Sequence, residues 1–374
     1  MVAAMMPYLT EWYGNPSSVH RFGQRARQGI DEARSQVASL LGCADAELLF
    51  TGGGTEAVNT AVRGLLAARA PRKRIVTTTV EHSATRELCQ QLAKEGAGVI
   101  EMGVDQRGRL DIDALRRATT DDVALVTTMW ANNETGVLFP VKEIAAIARG
   151  ARVPFHCDGT QAVGKLPVNV AELGLDAMSF ASHKFHGPKG VGGLFVRRGL
   201  RFRPLLIGGP QERGRRGGTE NVAGLVGMGK AAELARAALP EMSRVAAMRD
   251  QLEREILARI DDAHVNGSTA LTAGGDVEFR LPNTMNIGFA RLEAEAILLL
   301  LSEQGVCASA GAACSSGSLE PSHVLRAMRI DEKIAHGAIR FSLSRYTTDV
   351  EIDRALAVLP PVIERLRAVL PVAR

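Results

Sequence analysis

The spacing of apolar positions over the first two thirds of the chain predicts alternating strands and helices. Apolar residues recur at helical spacing between Val19 and Leu41, and Gly42 supplies the left-handed conformation in which helices often end. Further along, short apolar runs such as RIVTTTV and VALVTTMW each precede an amphipathic helical segment, and strand-like segments continue to MSFAS and GVGGLFV. Strand followed by helix, repeated, indicates a mostly parallel sheet with helices on both faces.

The pattern changes after about Gly229. A long helical segment, PEMSRVAAMRDQLEREILARI, is followed by the strand-like NTMNIGF, the helical EAEAILLLLSEQG and the strand-like RFSLS. We therefore predict an α/β protein with a large domain over residues 14–232 and a smaller α+β domain over residues 233–374. Residues 1–13 are expected to pack on the smaller domain.

Composition and charge place the chain among ordinary soluble proteins and narrow its partners. Its 45 basic and 41 acidic side chains are mixed along 374 residues, which disfavours a nucleic-acid or membrane-binding surface. The longest apolar run, AEAILLLL, is too short to span a bilayer, and the N-terminus lacks the basic region of a signal peptide. Five cysteines without CxxC spacing favour a reducing cytoplasm and no metal site.

One thiol has an unusual setting. In VCASAGAACSSGSLEPSH, Val306 to His323, Cys314 lies among alanines, glycines and serines. Such a stretch has too few large apolar side chains to anchor itself in a core, and its composition is that of a flexible linker. A thiol on a mobile tether is one interpretation. A small buried core residue is the other, because free cysteine is among the most buried residue types.

Three further motifs fall where predicted strands end, which is where open α/β sheets bind ligands. The turn LLFTGGGTEAVN places three glycines and Thr55 at a helix start, although its spacing matches neither a Walker A motif nor GxGxxG. SFASHKFHGPKG carries Lys184, and FHCDGTQAVGK carries Asp158. A solvated lysine and ordinary turn glycines are the simple alternatives. Together, however, a Schiff-base lysine, an acid for a pyridine nitrogen and a phosphate cradle are what pyridoxal phosphate requires.

These motifs resemble the class V pyridoxal-phosphate enzymes of fold-type I and, within them, the cysteine desulfurases of the NifS/IscS kind. The resemblance extends over nearly the whole chain, through YGNPSSVHRFG, FTGGGTEAVN, EHSA, WANNETG, HCDGTQAVGK, SHKFHGPKGVG, GGPQERGRRGGTENV, CSSGSLEPSHVLRAM and IRFSLSRYTT. The spelling of HKFHGPKG is closer to the nitrogen-fixation branch. The resemblance implies a seven-stranded, mostly parallel sheet flanked by helices, a smaller C-terminal domain and a cytoplasmic homodimer.

The resemblance also implies a role for each matching residue. Lys184 would bind pyridoxal 5'-phosphate covalently, Asp158 would pair with its pyridinium nitrogen, and His82 would lie over its ring and move protons. Arg340 would bind the substrate carboxylate, and Cys314 would be the sulfur-accepting nucleophile. The remaining contacts to cofactor or substrate would come from Gly54, Thr55, Asn133, Gln161, Ser182, His183 and, toward the phosphate in the partner subunit, Thr219.

The implied activity converts L-cysteine to L-alanine, leaving the sulfur on Cys314 as a persulfide. An iron–sulfur scaffold protein would accept the sulfur, and Cys314 would contact its cluster transiently. Selenocysteine lysis and transamination on the same fold are the enzymatic alternatives, and a catalytically silent docking protein is the alternative of a different class. The family usually begins with a strand carrying Asp-Asn-Ala-Thr-Thr, after which the present sequence starts, and Gly159 stands where the family more often has alanine.

Overall fold

The computed structural model describes residues 1–268, 279–311 and 320–369. The chain divides into two compact units, each assembled from several stretches of sequence. The first comprises Met1–Met102, Ile112–Trp130 and Pro140–Leu239, and the second comprises Gly103–Asp111, Ala131–Phe139 and Pro240–Arg374. The last stretch therefore begins a few residues beyond the expected boundary at 232/233, and two short earlier segments belong with it.

The first unit is built on a seven-stranded sheet. Its strands are β1 (Leu48–Thr51), β2 (Arg74–Thr78), β3 (Gly98–Met102), β4 (Val123–Met129), β5 (Phe155–Asp158), β6 (Ala177–Ala181) and β7 (Gly192–Val196). Their spatial order is β1-β7-β6-β5-β4-β2-β3. All neighbours from β3 to β6 are parallel, whereas β7 is antiparallel to both β1 and β6. The predicted seven-stranded, mostly parallel sheet is confirmed.

Helices connect these strands and cover the sheet. Those of the first unit are α1 (Val2–Thr10), α2 (Arg21–Leu41), α3 (Gly54–Ala68), α4 (Ser83–Lys94), α5 (Ile112–Ala118), α6 (Val141–Gly150), α7 (Val170–Leu173), α8 (Gln211–Gly214) and α9 (Val222–Ala237). In α2, Ile30, Ala33 and Val37 recur at helical spacing and are buried. Gly42, at φ 66°, ends the helix in the left-handed conformation, as the sequence predicts.

Helix α1 overturns the expectation that residues 1–13 pack on the smaller domain. This helix belongs to the first unit and packs against α9. The contact is close, because a Cβ atom on Gly227 of α9 would lie 2.6 Å from the sulfur of Met5. The ring of Tyr8 fills the space that a side chain at Gly29 of α2 would need. The apolar composition of the N-terminal segment indicates that part of it packs against another element, but nothing local in the sequence shows which element that is.

The second unit contains a four-stranded antiparallel sheet in the order β10-β11-β9-β8. Its strands are β8 (Ala263–Val265), β9 (Thr284–Phe289), β10 (Ser309–Ala310) and β11 (Ala338–Ser342). Its helices are α10 (Met242–Arg259), α11 (Ala294–Glu303), α12 (His323–Ala327), α13 (Glu332–Ala335) and α14 (Asp349–Val369). Met285, Ile287 and Ile339 of the sheet join apolar side chains of α10 and α14 in one core. The predicted α+β character is confirmed.

Within the described part of the chain, none of the helices has both the length and the apolar composition that a bilayer crossing requires.

Candidate active site

Asp158 ends β5 at the carboxyl edge of the first unit's sheet. It is buried, and its Oδ1 atom accepts hydrogen bonds from the backbone N–H of Thr160 at 3.0 Å and from the hydroxyl of Ser179 at 3.4 Å. The backbone N–H of Trp130, which follows β4, donates to the carbonyl oxygen of Asp158 at 2.9 Å. A carboxylate fixed in this way can stabilise the positive charge of a protonated pyridine nitrogen.

The residues immediately after Asp158 carry two local features. A Cβ atom on Gly159 would lie 2.7 Å from the sulfur of Met178, so alanine at this position would require Met178 to move. Gln161 accepts hydrogen bonds from the ammonium group of Lys165, on its carbonyl oxygen at 2.8 Å and on Oε1 at 3.3 Å. The structure thus places Gln161 at the expected strand end and in contact with a second lysine.

Lys184 lies in the 3₁₀ turn Ser182–Phe185 that follows β6, the strand next to β5, and is half-buried. The Oγ atom of Ser182 in the same turn is buried and has no hydrogen-bond partner within the described residues. Gly187 encloses this hydroxyl, because a Cβ atom there would lie 1.9 Å from it. A buried hydroxyl without a partner destabilises the folded protein by about 1–3 kcal/mol, so this atom fits the oxygen of a ligand.

The glycine turn between β1 and α3 adjoins this position. Gly53 precedes α3 with φ 156°, a conformation that side chains strongly disfavour. A Cβ atom on Gly54 would lie 3.2 Å from the Cβ atom of Ala181, the residue before Ser182. Helix α3 has 15 residues, and the backbone N–H groups of its first turn form an anion site of the kind that phosphate occupies.

The electrostatic setting of His183 also suits an anion. Although the His183 side chain is largely exposed, partial desolvation of its ring lowers its pKa. The positive charges of Lys184, Lys189 and Lys165 lower this pKa further. Three ammonium groups therefore raise the potential around His183. Helix α3, the buried hydroxyl of Ser182 and these charges fit a phosphate monoester, while Asp158 and Lys184 fit a pyridine nitrogen and an aldehyde. The donor set is the one that pyridoxal phosphate needs.

His82 occupies the N-cap position of α4, where its Nδ1 atom accepts a hydrogen bond from the backbone N–H of Ala84 at 3.1 Å. Burial lowers the pKa of this imidazole, the nearby carboxylate of Asp158 raises it and the ammonium of Lys184 lowers it. Because the charges of both Asp158 and Lys184 shift the pKa of His82, the structure brings these three predicted site residues close together. The ring is neutral at neutral pH, with its proton on Nε2.

A carboxyl group that the sequence did not single out lies beside His82. Glu81 is 1% exposed, and its Oε1 atom accepts hydrogen bonds from the hydroxyl of Thr78 at 2.6 Å and from the backbone N–H of Met129 at 3.0 Å. Burial raises the pKa of Glu81 to about 8, and the charge of Asp158 adds to this, although the two hydrogen bonds act in the opposite direction. The signal available in the sequence was an acid at a predicted strand end, directly before a candidate histidine.

Thr219 lies in an exposed loop that is tied to the glycine turn. Arg216 pairs with Glu56, with its Nε atom 2.9 Å from Oε1, and Oε2 of Glu56 accepts a hydrogen bond from the backbone N–H of Gly52 at 2.7 Å. A cavity of about 110 Å³ lies here, and Gly52, Arg216 and Thr219 are among the residues that line it. The basic run from Arg213 to Arg216 is therefore part of a structured loop, with Arg216 in an ion pair.

The two predicted substrate-binding residues meet in the second unit. Arg340 lies on β11, and its Nη1 atom donates a hydrogen bond to the carbonyl oxygen of Asn133 at 2.8 Å. The same Nη1 atom lies 3.5 Å from the carbonyl oxygen of Gly311. Both Arg340 and Asn133 are half-buried. A guanidinium group carries five N–H donors in a planar fork, a geometry that matches the two oxygens of a carboxylate.

The cysteines differ sharply in their surroundings. Cys314 lies outside the described residues. Burial raises the pKa of Cys43 to about 12 and that of Cys89 to about 12, and it raises the pKa of Cys157 well above its ordinary value. These three thiols stay protonated at neutral pH and are poor nucleophiles. Cys307 is exposed.

Comparison with known proteins identifies the family. The family model described as aminotransferase class-V matches residues 1–355. Cysteine desulfurase 2 of Trichormus variabilis is 52% identical over 371 residues, and cysteine desulfurase NifS of Azotobacter vinelandii is 52% identical over 373. Each alignment covers 99% of this chain and 91% of the relative.

Solved structures agree with this result. One, a NifS-like protein, is 35% identical with a TM-score of 0.88, covering 98% of this chain and 95% of its own. A NifS-like protein from Rickettsia africae is 28% identical with a TM-score of 0.83, covering 96% and 94%. The chain belongs to the class-V aminotransferase family. The relatives from Trichormus variabilis and Azotobacter vinelandii are cysteine desulfurases, which confirms the resemblance recognised in the sequence.

Proposed function

We propose that the protein is a cysteine desulfurase that converts L-cysteine to L-alanine and transfers the sulfur to its own Cys314. The observation that carries the proposal is the grouping of Asp158, Lys184 and the first turn of α3 at one edge of the first unit's sheet. This grouping supports pyridoxal-phosphate chemistry. The 52% identity to cysteine desulfurases over nearly the full chain supports the choice of reaction within that chemistry.

Pyridoxal 5'-phosphate is the proposed cofactor, and bound there it would stabilise negative charge that develops at the substrate Cα atom. Lys184 would hold its aldehyde carbon and Asp158 its pyridine nitrogen. Its phosphate would lie against the first turn of α3 and Ser182. The remaining proposed contacts, including Thr219 toward the partner subunit, are those of Gly54, Thr55, His82, Asn133, Gln161 and His183.

Each side chain then has a defined task. The Nζ atom of Lys184, once free, removes the proton from the substrate Cα atom and returns a proton as alanine forms. Arg340 and Asn133 bind and orient the substrate carboxylate. The Sγ atom of Cys314, after losing its proton, attacks the substrate sulfur, so that an S–S bond forms and the C–S bond breaks. The electron pair of the C–S bond stays with the substrate Cβ atom, which takes up a proton equivalent to the one lost by the Cys314 thiol. The sulfur is formally oxidised and the carbon reduced, and the products are L-alanine and the Cys314 persulfide.

We also propose a sulfur acceptor, a cellular location and an oligomeric state for the protein. The persulfide sulfur would pass to an iron–sulfur scaffold protein, in the cytoplasm where thiols stay reduced. A homodimer is supported by apolar side chains exposed on the first unit. Val2, Met6 and Leu9 lie at helical spacing on α1 with 62, 46 and 59% exposure, and Ile207 is 92% exposed. Sedimentation equilibrium would test the dimer.

The direct test of the reaction is alanine formation from L-cysteine by the cofactor-loaded protein with a reducing thiol. Wild type is expected to form alanine, and Cys314→Ser almost none. Retained turnover in Cys314→Ser would favour a reaction that needs no thiol, such as transamination. A protein that purifies without bound cofactor and forms no alanine would be the catalytically silent alternative. Selenocysteine supplied in parallel measures the preference between sulfur and selenium.

A further inference from the structure

A tight turn over residues 132–137 of the second unit carries Asn133. Two backbone hydrogen bonds close the turn. The N–H of Asn132 donates to the carbonyl oxygen of Val137 at 2.8 Å, and the N–H of Gly136 donates to the carbonyl oxygen of Asn132 at 3.0 Å. The backbone of Asn133 therefore follows the geometry of this turn.

The side chain of Asn132 organises the turn from inside. Its Oδ1 atom accepts hydrogen bonds from the backbone N–H groups of Glu134 at 2.9 Å and Thr135 at 3.0 Å. The same oxygen accepts a third hydrogen bond from the hydroxyl of Thr135 at 3.2 Å. All three residues are buried, so water does not replace this acceptor. Because a buried N–H group without an acceptor is strongly destabilising, the conformation of the turn is stabilised by this one oxygen.

One peptide group connects Asn132 to Arg340. The carbonyl oxygen of Asn133 and the N–H of Glu134 belong to the same planar peptide group. Its N–H donates to Oδ1 of Asn132, and its oxygen accepts the hydrogen bond from Nη1 of Arg340 at 2.8 Å. The two side chains thus hold opposite sides of one rigid unit. If the N–H loses its acceptor, the peptide group can rotate, and the oxygen that directs the guanidinium group moves with it.

Asn286 on β9 holds the next carbonyl oxygen of the turn. Its side-chain amide donates to the carbonyl oxygen of Glu134 at 3.4 Å, and its Oδ1 atom accepts a hydrogen bond from the side-chain amide of Asn266 at 2.8 Å. Asn286 and Arg340 are directly opposite in the β9–β11 pair, so their side chains lie on the same face of the sheet. The sheet thereby fixes where the turn lies, and the side chain inside the turn fixes how its peptide group is oriented.

We propose that Asn132 is a positioning residue for the substrate carboxylate, because its side-chain oxygen orients the peptide group that directs the guanidinium group of Arg340. This inference rests on the proposed function, in which Arg340 binds that carboxylate. A guanidinium group binds a carboxylate best through two parallel N–H donors, so its direction matters as well as its charge. Without the oxygen of Asn132, Arg340 keeps its charge and loses this direction. The loss affects ligands that carry a carboxylate more than ligands that lack one.

Two substitutions of Asn132 isolate the acceptor oxygen. Serine offers a hydroxyl oxygen that can accept a hydrogen bond from a backbone N–H two or three residues further on, whereas alanine offers no acceptor. Asn132→Ser and Asn132→Ala therefore differ by one oxygen atom, and both lack the side-chain amide nitrogen. Asn169→Ala is the control in the first unit, because the side-chain oxygen of Asn169 caps α7 in the same way. That oxygen accepts from the backbone N–H groups of Ala171 at 3.2 Å and Glu172 at 3.3 Å.

The primary readout is the dissociation constant of L-alanine, measured by titration calorimetry with the cofactor-loaded protein. L-alaninamide, which has a similar shape and no carboxylate, is titrated in parallel. In Asn132→Ala we expect the dissociation constant of L-alanine to rise about tenfold and that of L-alaninamide to change less than about threefold. KM for L-cysteine should rise about tenfold, with kcat within about threefold of wild type. Asn132→Ser should recover most of the affinity for L-alanine, and Asn169→Ala should match wild type.

Equal affinity for L-alanine in wild type, Asn132→Ser and Asn132→Ala would overturn the proposal. Equal weakening of L-alanine and L-alaninamide binding in Asn132→Ala would also overturn it, because a general disturbance of the site affects both ligands alike. If Asn132→Ala does not fold, Asn132→Gln takes its place with the same directions expected. The longer side chain of glutamine cannot bring its oxygen to the same two N–H groups.

The outcomes also distinguish this proposal from the proposed function. Alanine formation from L-cysteine by wild type, with no difference among the variants, would refute the positioning role and leave the proposed function standing. Selective loss of L-alanine binding in Asn132→Ala, where wild type forms no alanine from L-cysteine, would support the positioning role and refute the proposed function.

Discussion

The Oε1 atom of Glu81 accepts a hydrogen bond from the backbone N–H of Met129 across 3.0 Å, in a region closed to solvent. This bond joins the turn after β2 to the end of β4, and it fixes the residue directly before His82. The backbone next to His82 is therefore held in place by the buried carboxyl group of Glu81, which keeps its proton to about pH 8.

Stability should depend on pH through Glu81. Because burial raises the pKa of Glu81 from 4.5 to about 8, the folded protein keeps a proton that the unfolded chain releases. The resulting stabilisation is complete below about pH 4.5 and is lost as the pH rises through about 8. Glu81→Gln keeps the shape and is always neutral. We expect the stability of wild type relative to this variant to fall between these pH values.

Urea unfolding of wild type and Glu81→Gln at several pH values measures this difference. Glu101→Gln, at an exposed position, is the control and should leave the pH dependence unchanged. Parallel stability curves for wild type and Glu81→Gln would show that Glu81 does not carry the proton.

Two substitutions of His82 should separate its contribution to stability from its contribution to catalysis. Its Nδ1 atom caps α4, so His82→Ala is expected to lower the free energy of unfolding by about 1 kcal/mol. His82→Asn restores a capping oxygen and should recover most of that loss, yet both variants should turn over L-cysteine poorly. Nitrogen chemical shifts of the labelled histidine should show the Nε2–H tautomer at neutral pH. Normal turnover by His82→Asn would limit the histidine to capping.

Lys184 should be required for stable cofactor binding. Lys184→Ala removes the amine that binds the aldehyde, so the purified protein should lose its visible absorbance band and its alanine formation. Lys189→Ala is the matched control, because Lys189 is exposed in the same motif and also contributes positive charge near His183. A yellow, active Lys184→Ala protein would assign the aldehyde to another amine.

Arg340 should govern substrate affinity. Lysine keeps the charge but cannot present a planar fork to both the carbonyl oxygen of Asn133 and a carboxylate. For Arg340→Lys we expect kcat/KM for L-cysteine to fall about tenfold or more, chiefly through KM. Steady-state kinetics with a titration of cofactor absorbance measure both quantities. A fall confined to kcat would show that Arg340 acts after substrate binding.

Much of the fold follows from local pattern. The periodic burial of α2 and the strand-helix alternation from β1 to β7 are readable because each element carries its own period. The position of β7, antiparallel between β1 and β6, cannot be predicted from the local pattern, because strand order depends on contacts between residues far apart in sequence. For the same reason the sequence-based prediction assigned residues 1–13 to the wrong domain. It also did not assign residues 103–111 and 131–139 to the second unit.

The candidate site likewise contains some residues that the sequence predicted and others that it did not. Asp158, Lys184 and the glycine turn carry recognisable chemistry at strand ends, so the sequence singled them out. Glu81 and Glu134 were missed because an acidic residue is ordinarily exposed, and only the tertiary structure shows that both are buried. Each directly adjoins a residue that the sequence did select, His82 or Asn133.

The most direct test of the account is to incubate the cofactor-loaded protein with L-cysteine without reductant and to examine the Cys314 peptide by mass spectrometry. The account predicts that this peptide gains the mass of one sulfur atom, that a reducing thiol removes it, and that one alanine is released per sulfur bound. Alanine released with no sulfur on Cys314, or with the sulfur on Cys307 instead, would contradict it.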